Sequence, residues 1–238
     1  MRRIMITNDD GIDASGIIRL AQAACEYGEV WVIAPLHQRS AASHSITLRQ
    51  PIDIYPYDFP VEGVKAYSCS GTPADCVRVG SLSVMPYKPD VVLSGINFGY
   101  NAATDIQYSA TVGAAMEASF QGYRAIALSE HLNGCHEVTD KFLKEVLDEY
   151  IDKDTGSGRV ININFPGCSL KECKGILRDR KTSKSAFFRD RYKVLEKLKD
   201  GGIRYMVDGI LNLQGEPETD FAALIENYIS IGIVRNIE

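Results

Sequence analysis

Two adjacent carboxylates directly after a short apolar run are the residues of this chain best suited to chemistry. Asp9 and Asp10 follow the apolar residues 4–6 and precede Gly11. Two negative charges side by side repel each other, and a divalent cation bound between them relieves that repulsion. The segment therefore predicts a metal site at the end of a first strand, although Asn-Asp-Asp-Gly is also a good turn sequence.

Two more oxygen-bearing side chains follow later predicted strands. Ser40 lies in the loop after residues 29–34, and Asn97 lies in the loop after residues 91–93. Because ligands of open parallel sheets bind outside the carboxyl ends of the strands, these loops are expected to meet the first one in a single crevice. Two carboxylates, a hydroxyl and an amide oxygen suit Mg²⁺, Mn²⁺ or Ca²⁺ better than zinc. Taken singly, each of the two later residues is more often a structural loop residue than a ligand.

A second group of hydroxyls lies at the start of a predicted helix over residues 111–120. Ser109 and Thr111 precede the small residues 113–115. The free N–H groups and the dipole of a helix start favour an anion, and small side chains allow it to approach. A plain N-cap with close helix packing explains the same pattern, and these residues alone favour that explanation.

The elements that must position these residues alternate between strands and helices. Strands are predicted over residues 2–6, 29–34, 91–93, 124–128 and 160–163, and helices over residues 14–27, 73–83, 111–120 and 138–151. Gly28 is expected to cap the first helix, and Thr72, Pro73 and Asp75 are typical of a capping box with proline at the first helical position. The alternation predicts an α/β fold with a doubly wound, mostly parallel sheet.

The pattern changes after residue 166. Residues 178–199 carry nine basic and three acidic residues, with aromatic residues between them. Extended segments are predicted over residues 46–57, 203–207 and 228–234, and a helix over residues 219–227. We therefore expect one domain over residues 1–238, with an α/β core (1–166) and appended β-rich hairpins with an extended tail (167–238). A basic and aromatic run can bind nucleic acid, but a solvated hairpin or a subunit contact is the more common explanation.

Composition narrows the classes of function. The 238 residues carry a net charge of -5, so no nucleic-acid polymer is expected as a partner, and a phosphate-bearing substrate would need a local binding device. The chain has no P-loop, dinucleotide-binding or nucleophile-elbow motif. Its six cysteines form no C-x-x-C pair, which favours free thiols in a reducing compartment. With no signal peptide and no run of 18 apolar residues, we expect a cytoplasmic protein without membrane contact.

Motifs in order along nearly the whole chain resemble the SurE (survival protein E) family of metal-dependent nucleotidases. The matching segments are residues 7–12, 34–35 with Ser40, 45–47, 71–77, 94–97 with Gly99 and Asn101, 108–109, 111–115, 162–166, 219–221 and 228–231. The resemblance implies a Rossmann-like core and hydrolysis of nucleoside 5′-monophosphates, with 3′-monophosphates and short polyphosphate as further substrates of some members.

The family also implies roles for particular residues. One divalent ion, Mg²⁺ or Mn²⁺, is expected on Asp9, Asp10, Ser40 and Asn97, which is the set already reached from the strand ends. In the resulting hypothesis Asp9, Asp10 and Asn97 are catalytic, and Asn8, Ser109 and Thr111 bind the phosphate. The family further implies a homodimer or homotetramer that forms partly through the C-terminal hairpins and an exchanged tail.

The chain departs from the family pattern at two positions near the expected phosphate. Ala41 and Ala110 stand where glycine is usual, and each adds a methyl group and restricts positive φ. These changes favour, as an alternative, a nucleotide-binding regulatory protein with weak catalysis. An aspartyl-phosphate phosphatase would need an acid two residues after its nucleophile, where Gly11 and Ile12 stand. A phospho-receiver would need an acceptor aspartate after a later central strand, where residues 93–94 are Leu-Ser.

Overall fold

The computed structural model describes residues 1–235. In this part of the chain the backbone forms thirteen strands and five α-helices. The strands are β1 (Arg2–Thr7), β2 (Gly28–Pro35), β3 (Ile54–Tyr57), β4 (Lys65–Cys69), β5 (Val91–Phe98), β6 (Arg124–Glu130), β7 (Arg159–Phe165), β8 (Ile176–Arg180), β9 (Phe188–Arg189), β10 (Tyr192–Lys197), β11 (Ile203–Val207), β12 (Ile210–Leu211) and β13 (Ile229–Arg235). The α-helices are α1 (Ser15–Ala24), α2 (Pro73–Val79), α3 (Ala110–Phe120), α4 (Glu137–Tyr150) and α5 (Asp220–Ile225).

Nine of the strands form one sheet in the order β3-β4-β2-β1-β5-β6-β7-β13-β8. The neighbours from β4 to β7 run parallel, whereas β3 is antiparallel to β4 and β13 is antiparallel to β7. From β1 the chain first builds one half of the sheet through β2 and β4, and then returns to place β5 on the other side of β1. The ends of β1 and β5 therefore border a topological switch point, which is where ligands bind in sheets of this kind.

The sheet is covered on both faces. Ile4 and Ile6 of β1 pack into a core with α1 and α4, whereas the intervening Met5 faces a second core that contains residues of α2 and α3. Successive strand residues point to opposite faces, so a strand that is buried on both sides reads as a continuous apolar run. These two layers confirm the predicted α/β architecture.

The start of α2 forms as its sequence predicts. The Thr72 hydroxyl accepts a hydrogen bond from the Asp75 amide, the Asp75 carboxylate accepts one from the Thr72 amide, and Pro73 occupies the first helical position. These bonds satisfy N–H groups that have no partner inside the helix. The helix is shorter than predicted, since residues 80–84 continue as a π-helical turn.

Gly28 does not cap the first helix. Helix α1 ends at Ala24, and Gly28 instead begins β2. A Cβ at Gly28 would lie 2.1 Å from the carbonyl oxygen of Arg2, so glycine is needed for the close approach of β2 to β1. The requirement comes from a strand that is distant in sequence, which is why a local cap pattern gave the wrong prediction.

Two predicted extended segments have different lengths in the structure. The strand expected to end at residue 93 continues to Phe98, because Asn97 and Phe98 still pair with β6. Of residues 46–57 only Ile54–Tyr57 forms a strand, and its partner β4 was not predicted. The extension of β5 matters for the site, since it places Asn97 on the sheet instead of in a free loop.

The C-terminal third contributes to the main sheet as well as to hairpins. Strand β13 lies between β7 and β8, and β10 with β11 forms a separate two-stranded hairpin, as does β9 with β12. The expected boundary at residue 166 therefore does not separate the sheet from the tail. Within residues 1–235, no helix has the length and apolar character needed to cross a membrane.

Candidate active site

The first two acidic residues lie at the switch point of the sheet. Asp9 and Asp10 follow the last residue of β1 closely, and β1 lies between β2 and β5. The Asp9 carbonyl oxygen accepts a hydrogen bond from the Arg39 amide at 2.6 Å, so the loop after β2 is fastened to this turn. The two loops expected to meet in the crevice are therefore in contact.

Asp10 connects three segments of the site. Its Oδ2 accepts a hydrogen bond from the Phe98 amide at 2.9 Å, next to Asn97 at the end of β5. Its Oδ1 lies 3.4 Å from Nε2 of Gln38, and the same amide nitrogen donates to Oγ of Ser40 at 3.0 Å. The structure thus brings the four predicted metal-binding residues to one place, with Gln38 between two of them.

Asp9 is almost completely buried, at 3% exposure. Its Oδ1 accepts a hydrogen bond from the Thr111 hydroxyl at 2.6 Å, which fixes the carboxylate against the start of α3. Burial raises the pKa of Asp9 to about 6, and the charge of Asp10 adds to this rise while the bond from Thr111 opposes it. Burial likewise raises the pKa of Asp10. Both carboxylates therefore lie where negative charge is costly without a cation.

The amide of Asn97 is oriented by the backbone that follows it. Its Nδ2 donates to the Gly99 carbonyl oxygen at 2.8 Å. That bond uses the amide nitrogen, and no side-chain hydrogen bond forms to Oδ1 within residues 1–235. The oxygen is consequently the atom that Asn97 offers to a ligand.

Asn8 directly precedes the two carboxylates and is fully buried. Its Nδ2 donates to the Gly11 carbonyl oxygen at 2.8 Å and so holds the turn that carries them. Its Oδ1 is buried without any hydrogen-bond partner. A buried acceptor of this kind calls for a ligand or an ordered water. A role of Asn8 in phosphate binding stays a prediction.

The helix start lies directly beside the acidic pair. Ser109 caps α3, since its hydroxyl accepts a hydrogen bond from the Val112 amide at 3.0 Å. A Cβ at Gly113 would lie 2.5 Å from the carbonyl oxygen of Ser43, so the absence of a side chain lets the loop that carries Ser40 pack on the first turn. The N-terminus of this eleven-residue helix therefore borders the crevice, where its N–H groups and dipole favour an anion.

A third carboxylate near the site has its own counter-ion. Glu130, at the end of β6, is 2% exposed and forms an ion pair with Arg19 at 2.8 Å. His136 lies 3.0 Å from the same carboxylate. Sequence inspection missed this group because its members are far apart in the chain. The apolar run of β6 that ends in a charged residue was the only local signal.

Asp9 and Asp10 have no such counter-ion. No Lys, Arg or His of residues 1–235 forms an ion pair with either carboxylate. The same residues contain no group of three or more His, Cys, Asp or Glu side chains that could hold a metal. A cation bound here would therefore need hydroxyl and amide oxygens beside the two carboxylates. The donor set present is all oxygen and fits a hard divalent ion.

The two alanines that replace glycine differ in their backbone conformation. Ala41 adopts a positive φ of 58°, which costs an L-residue roughly 1–2 kcal/mol. Ala110 is the first residue of α3 with ordinary helical geometry, and it is fully buried. The expected restriction thus applies to Ala41 alone, and the chain adopts the strained conformation there.

A family model, curated relatives and a solved structure all relate this chain to the same family. The family model described as Survival protein SurE matches residues 4–186. The chain is 36% identical over 230 residues to a protein of Thermosipho melanesiensis and 40% identical over 239 residues to one of Clostridium beijerinckii, each named 5′-nucleotidase SurE. These alignments cover 96% of this chain and 89% and 90% of the relatives. The crystal structure of the SurE protein from Aquifex aeolicus superimposes with a TM-score of 0.82 at 30% identity, covering 98% of this chain and 93% of that one.

Proposed function

The chain belongs to the SurE family, and we propose that it is a nucleotidase that hydrolyses nucleoside 5′-monophosphates to nucleoside and phosphate. In this reaction water adds to phosphorus and the ester P–O bond breaks. The nucleoside oxygen takes up the proton that the water loses. Nucleoside 3′-monophosphates and short polyphosphate are further candidate substrates of the same site.

The observation that carries the proposal is the uncompensated acidic pair at the switch point. Asp9 and Asp10 lie side by side, largely desolvated and without an ion pair, while the nearby Glu130 has Arg19 as its partner. Other buried carboxylates of the chain are compensated, Glu130 by Arg19 and both Asp75 and Asp220 by several backbone N–H donors. An acidic pair left without a counter-ion is suited to binding a cation from solution.

Asp9, Asp10, Ser40 and Asn97 are assigned to one divalent ion, Mg²⁺ or Mn²⁺. When bound, such an ion neutralises charge on the phosphoryl oxygens and acidifies a water molecule. The protein positions these ligands through backbone and side-chain hydrogen bonds, most directly from Thr111 to Asp9 and from the Phe98 amide to Asp10.

The phosphoryl group is assigned to the start of α3. The dipole of the helix start and the hydroxyl of Ser109 supply the local positive potential that a chain of net charge -5 lacks as a whole. Thr111 contributes through its bond to Asp9, and Asn8 through the turn that it holds. Catalysis in this arrangement is largely electrostatic, as is usual for phosphoryl transfer.

The test of the proposal is phosphate release from a panel of substrates. The panel contains nucleoside 5′- and 3′-monophosphates and short polyphosphate, each with Mg²⁺, with Mn²⁺ and with EDTA. We expect release from the 5′-monophosphates that requires the metal and stops with EDTA. Tight nucleotide binding without release under any metal would instead support the regulatory alternative.

Thr111→Val is expected to reduce turnover and metal affinity by about ten- to a hundredfold, the usual effect of losing a group that orients a metal ligand. The substitution removes the hydroxyl that donates to Asp9 at 2.6 Å and keeps a similar side-chain volume. Metal titration and phosphate release measure the two effects. Thr111→Ser keeps the hydroxyl and serves as the matched control. Equal losses in the valine and serine variants would mean that packing, and not the hydrogen bond, is responsible.

We also assign a homodimer or homotetramer to the chain. Several large side chains of the hairpin formed by β10 and β11 are exposed to solvent. Among them are Tyr192, Val194, Tyr205 and Val207, which are 55–65% exposed. An exposed apolar patch of this kind is typical of a subunit contact. Light scattering after gel filtration gives the mass, and a monomer at all concentrations would contradict the assignment.

A further inference from the structure

Among the proposed metal ligands, Ser40 receives the least support from the sheet. The other three directly follow β1 or lie on β5, whereas Ser40 is exposed on the segment of residues 36–47 after β2. This segment, here called the ligand loop, forms neither helix nor strand. A ligand on an irregular loop keeps a precise position only if other contacts fix that loop.

Two residues of the ligand loop have a left-handed backbone conformation. Ala41 has a φ of 58° and Ser43 has a φ of 50°, a region that L-residues other than glycine rarely adopt. Such conformations persist only where the surrounding structure holds the chain in them. Because Ala41 directly follows Ser40, relaxation of this backbone would also move the Ser40 hydroxyl. The position of this ligand therefore depends on the contacts that hold the loop.

The side chain of His44 connects the ligand loop to α3. Its Nε2 lies 2.9 Å from Oε2 of Glu117, and its ring stacks on Phe120 with 5.6 Å between the ring centroids. Both partners belong to α3, the helix whose Thr111 hydroxyl donates a hydrogen bond to Asp9. One helix is therefore in contact with the acidic pair through its start and with the ligand loop through its later turns.

Glu117 is charged in the folded protein. It is 5% exposed, and its Oε1 accepts hydrogen bonds from Arg78 at 3.0 Å and from Gln121 at 2.8 Å. Burial raises the pKa of Glu117, but the hydrogen bonds from His44 and Gln121 and the charge of Arg78 outweigh burial and lower the pKa to about 2. The carboxylate is thus a fixed acceptor, to which His44 can donate from Nε2 in its neutral as well as its charged form.

A second contact joins the ligand loop to the segment before α3. The Ser43 amide donates to the carbonyl oxygen of Tyr108 at 3.0 Å, and the Ser43 hydroxyl donates to the carbonyl oxygen of Gln107 at 2.9 Å. These bonds do not involve the His44 side chain and should remain when it is changed. Loss of the contact between His44 and Glu117 is therefore expected to shift the loop without releasing it.

We propose that His44 and Glu117 form a clamp that positions Ser40 as a metal ligand. His44 is a positioning residue in this arrangement, since it acts on the metal only through the loop that carries Ser40. The inference rests on the proposed metal-dependent nucleotidase function and assigns two further residues to it. Because His44 and Glu117 are 73 residues apart in sequence, the clamp depends on the folded chain and leaves no local pattern.

The test measures metal affinity by calorimetric titration with Mn²⁺. His44→Ala breaks the clamp, and the Kd for Mn²⁺ is expected to rise about tenfold, the lower end of the range for groups that orient a metal ligand. Arg78→Met is the matched control, since it removes another partner of the Glu117 carboxylate without touching the ligand loop and should leave metal affinity unchanged. His44→Gln, whose amide can donate to Glu117, should recover most of the wild-type affinity.

A double-mutant cycle with Ser40→Ala separates positioning of the ligand from a general loss of structure. If His44 acts through Ser40, His44→Ala should weaken Mn²⁺ binding by less than about twofold when residue 40 is already alanine, because the effects of coupled residues are not additive. Phosphate release from a nucleoside 5′-monophosphate gives a second readout. Saturating Mn²⁺ should return the kcat of His44→Ala to near the wild-type value, since the variant lacks affinity for the metal and not a catalytic group.

The outcomes separate failure of this inference from failure of the proposed function. A wild type that binds no Mn²⁺ contradicts the metal site of the proposed function itself. A His44→Ala variant with wild-type affinity keeps that site but overturns the clamp, because the bonds of Ser43 would then be sufficient to hold the loop. Equal losses of affinity in His44→Ala and Arg78→Met, or an undiminished effect of His44→Ala in the Ser40→Ala background, would also overturn it and leave the ion pair a purely structural role.

Discussion

Asp9→Asn is expected to abolish metal-dependent phosphate release and metal binding together. Loss of a side chain that merely orients a metal ligand costs about 10- to 100-fold, so loss of a ligand charge should exceed the upper end of that range. Asparagine has nearly the same shape as aspartate and can still accept the hydrogen bond from Thr111 through its oxygen. The fold should therefore survive while the function is lost.

The same substitution should have opposite effects on stability with and without metal. In the metal-free wild type, Asp9 is 3% exposed, lies beside Asp10 and has no ion pair within residues 1–235. Replacing a buried, unpaired charge by a neutral amide removes that electrostatic cost, so the metal-free variant should melt above the metal-free wild type. Added Mn²⁺ should raise the Tm of the wild type but leave the variant unchanged, because only a ligand that binds the folded state stabilises it.

Thermal unfolding with EDTA and with Mn²⁺, together with metal titration, measures these effects. Asp13→Asn is the matched control, since it removes one exposed carboxylate from the same loop and should change neither metal binding nor turnover. If Asp9→Asn still bound Mn²⁺ with wild-type affinity, the assignment of Asp9 as a ligand would be wrong.

The convergence of the candidate residues could be predicted from the sequence because its main signals are local. Asp9 and Asp10 directly follow an apolar strand, and the capping box of Thr72 and Asp75 is contained in four residues. Strand ends in a parallel sheet converge without further specification, so the order of strands and polar residues already predicted one crevice.

The features that the sequence did not predict depend on contacts between distant segments. Gln38 lies between Asp10 and Ser40 because of the conformation of its loop. That loop has no periodic pattern from which its conformation could be predicted. Strand β13 lies in the sheet between β7 and β8. The local sequence of a strand does not determine which other strands it pairs with. The phosphate-binding role of Thr111 stays a prediction, whereas the hydrogen bond from its hydroxyl to Asp9, across 102 residues of sequence, was not predicted.

Gly16→Ala is expected to destabilise the protein strongly, although alanine is the better helix former. Gly16 lies in α1, and a Cβ there would be 2.0 Å from the carbonyl oxygen of Ile96 and 3.1 Å from its carbonyl carbon. Both atoms belong to the backbone of β5, so no side chain can rotate away to make room. The gain in helix propensity is at most about 1 kcal/mol, whereas overpacking of a core costs about 1–3 kcal/mol and occasionally more.

The expected result is a net loss of about 2 kcal/mol, or a Tm lowered by roughly 5 °C for a domain of this size. Because Ile96 directly precedes Asn97, the shift that accommodates the methyl group should also displace the Asn97 amide and weaken metal binding. Gln22→Ala adds helix propensity at an exposed position of the same helix and should neither lower the Tm nor weaken metal binding. A Gly16→Ala variant that melts with the wild type and binds metal equally well would show that α1 can move away from β5 freely. In that case the hydrogen bond to Asp10 and the pairing with β6 would be sufficient to position the end of β5.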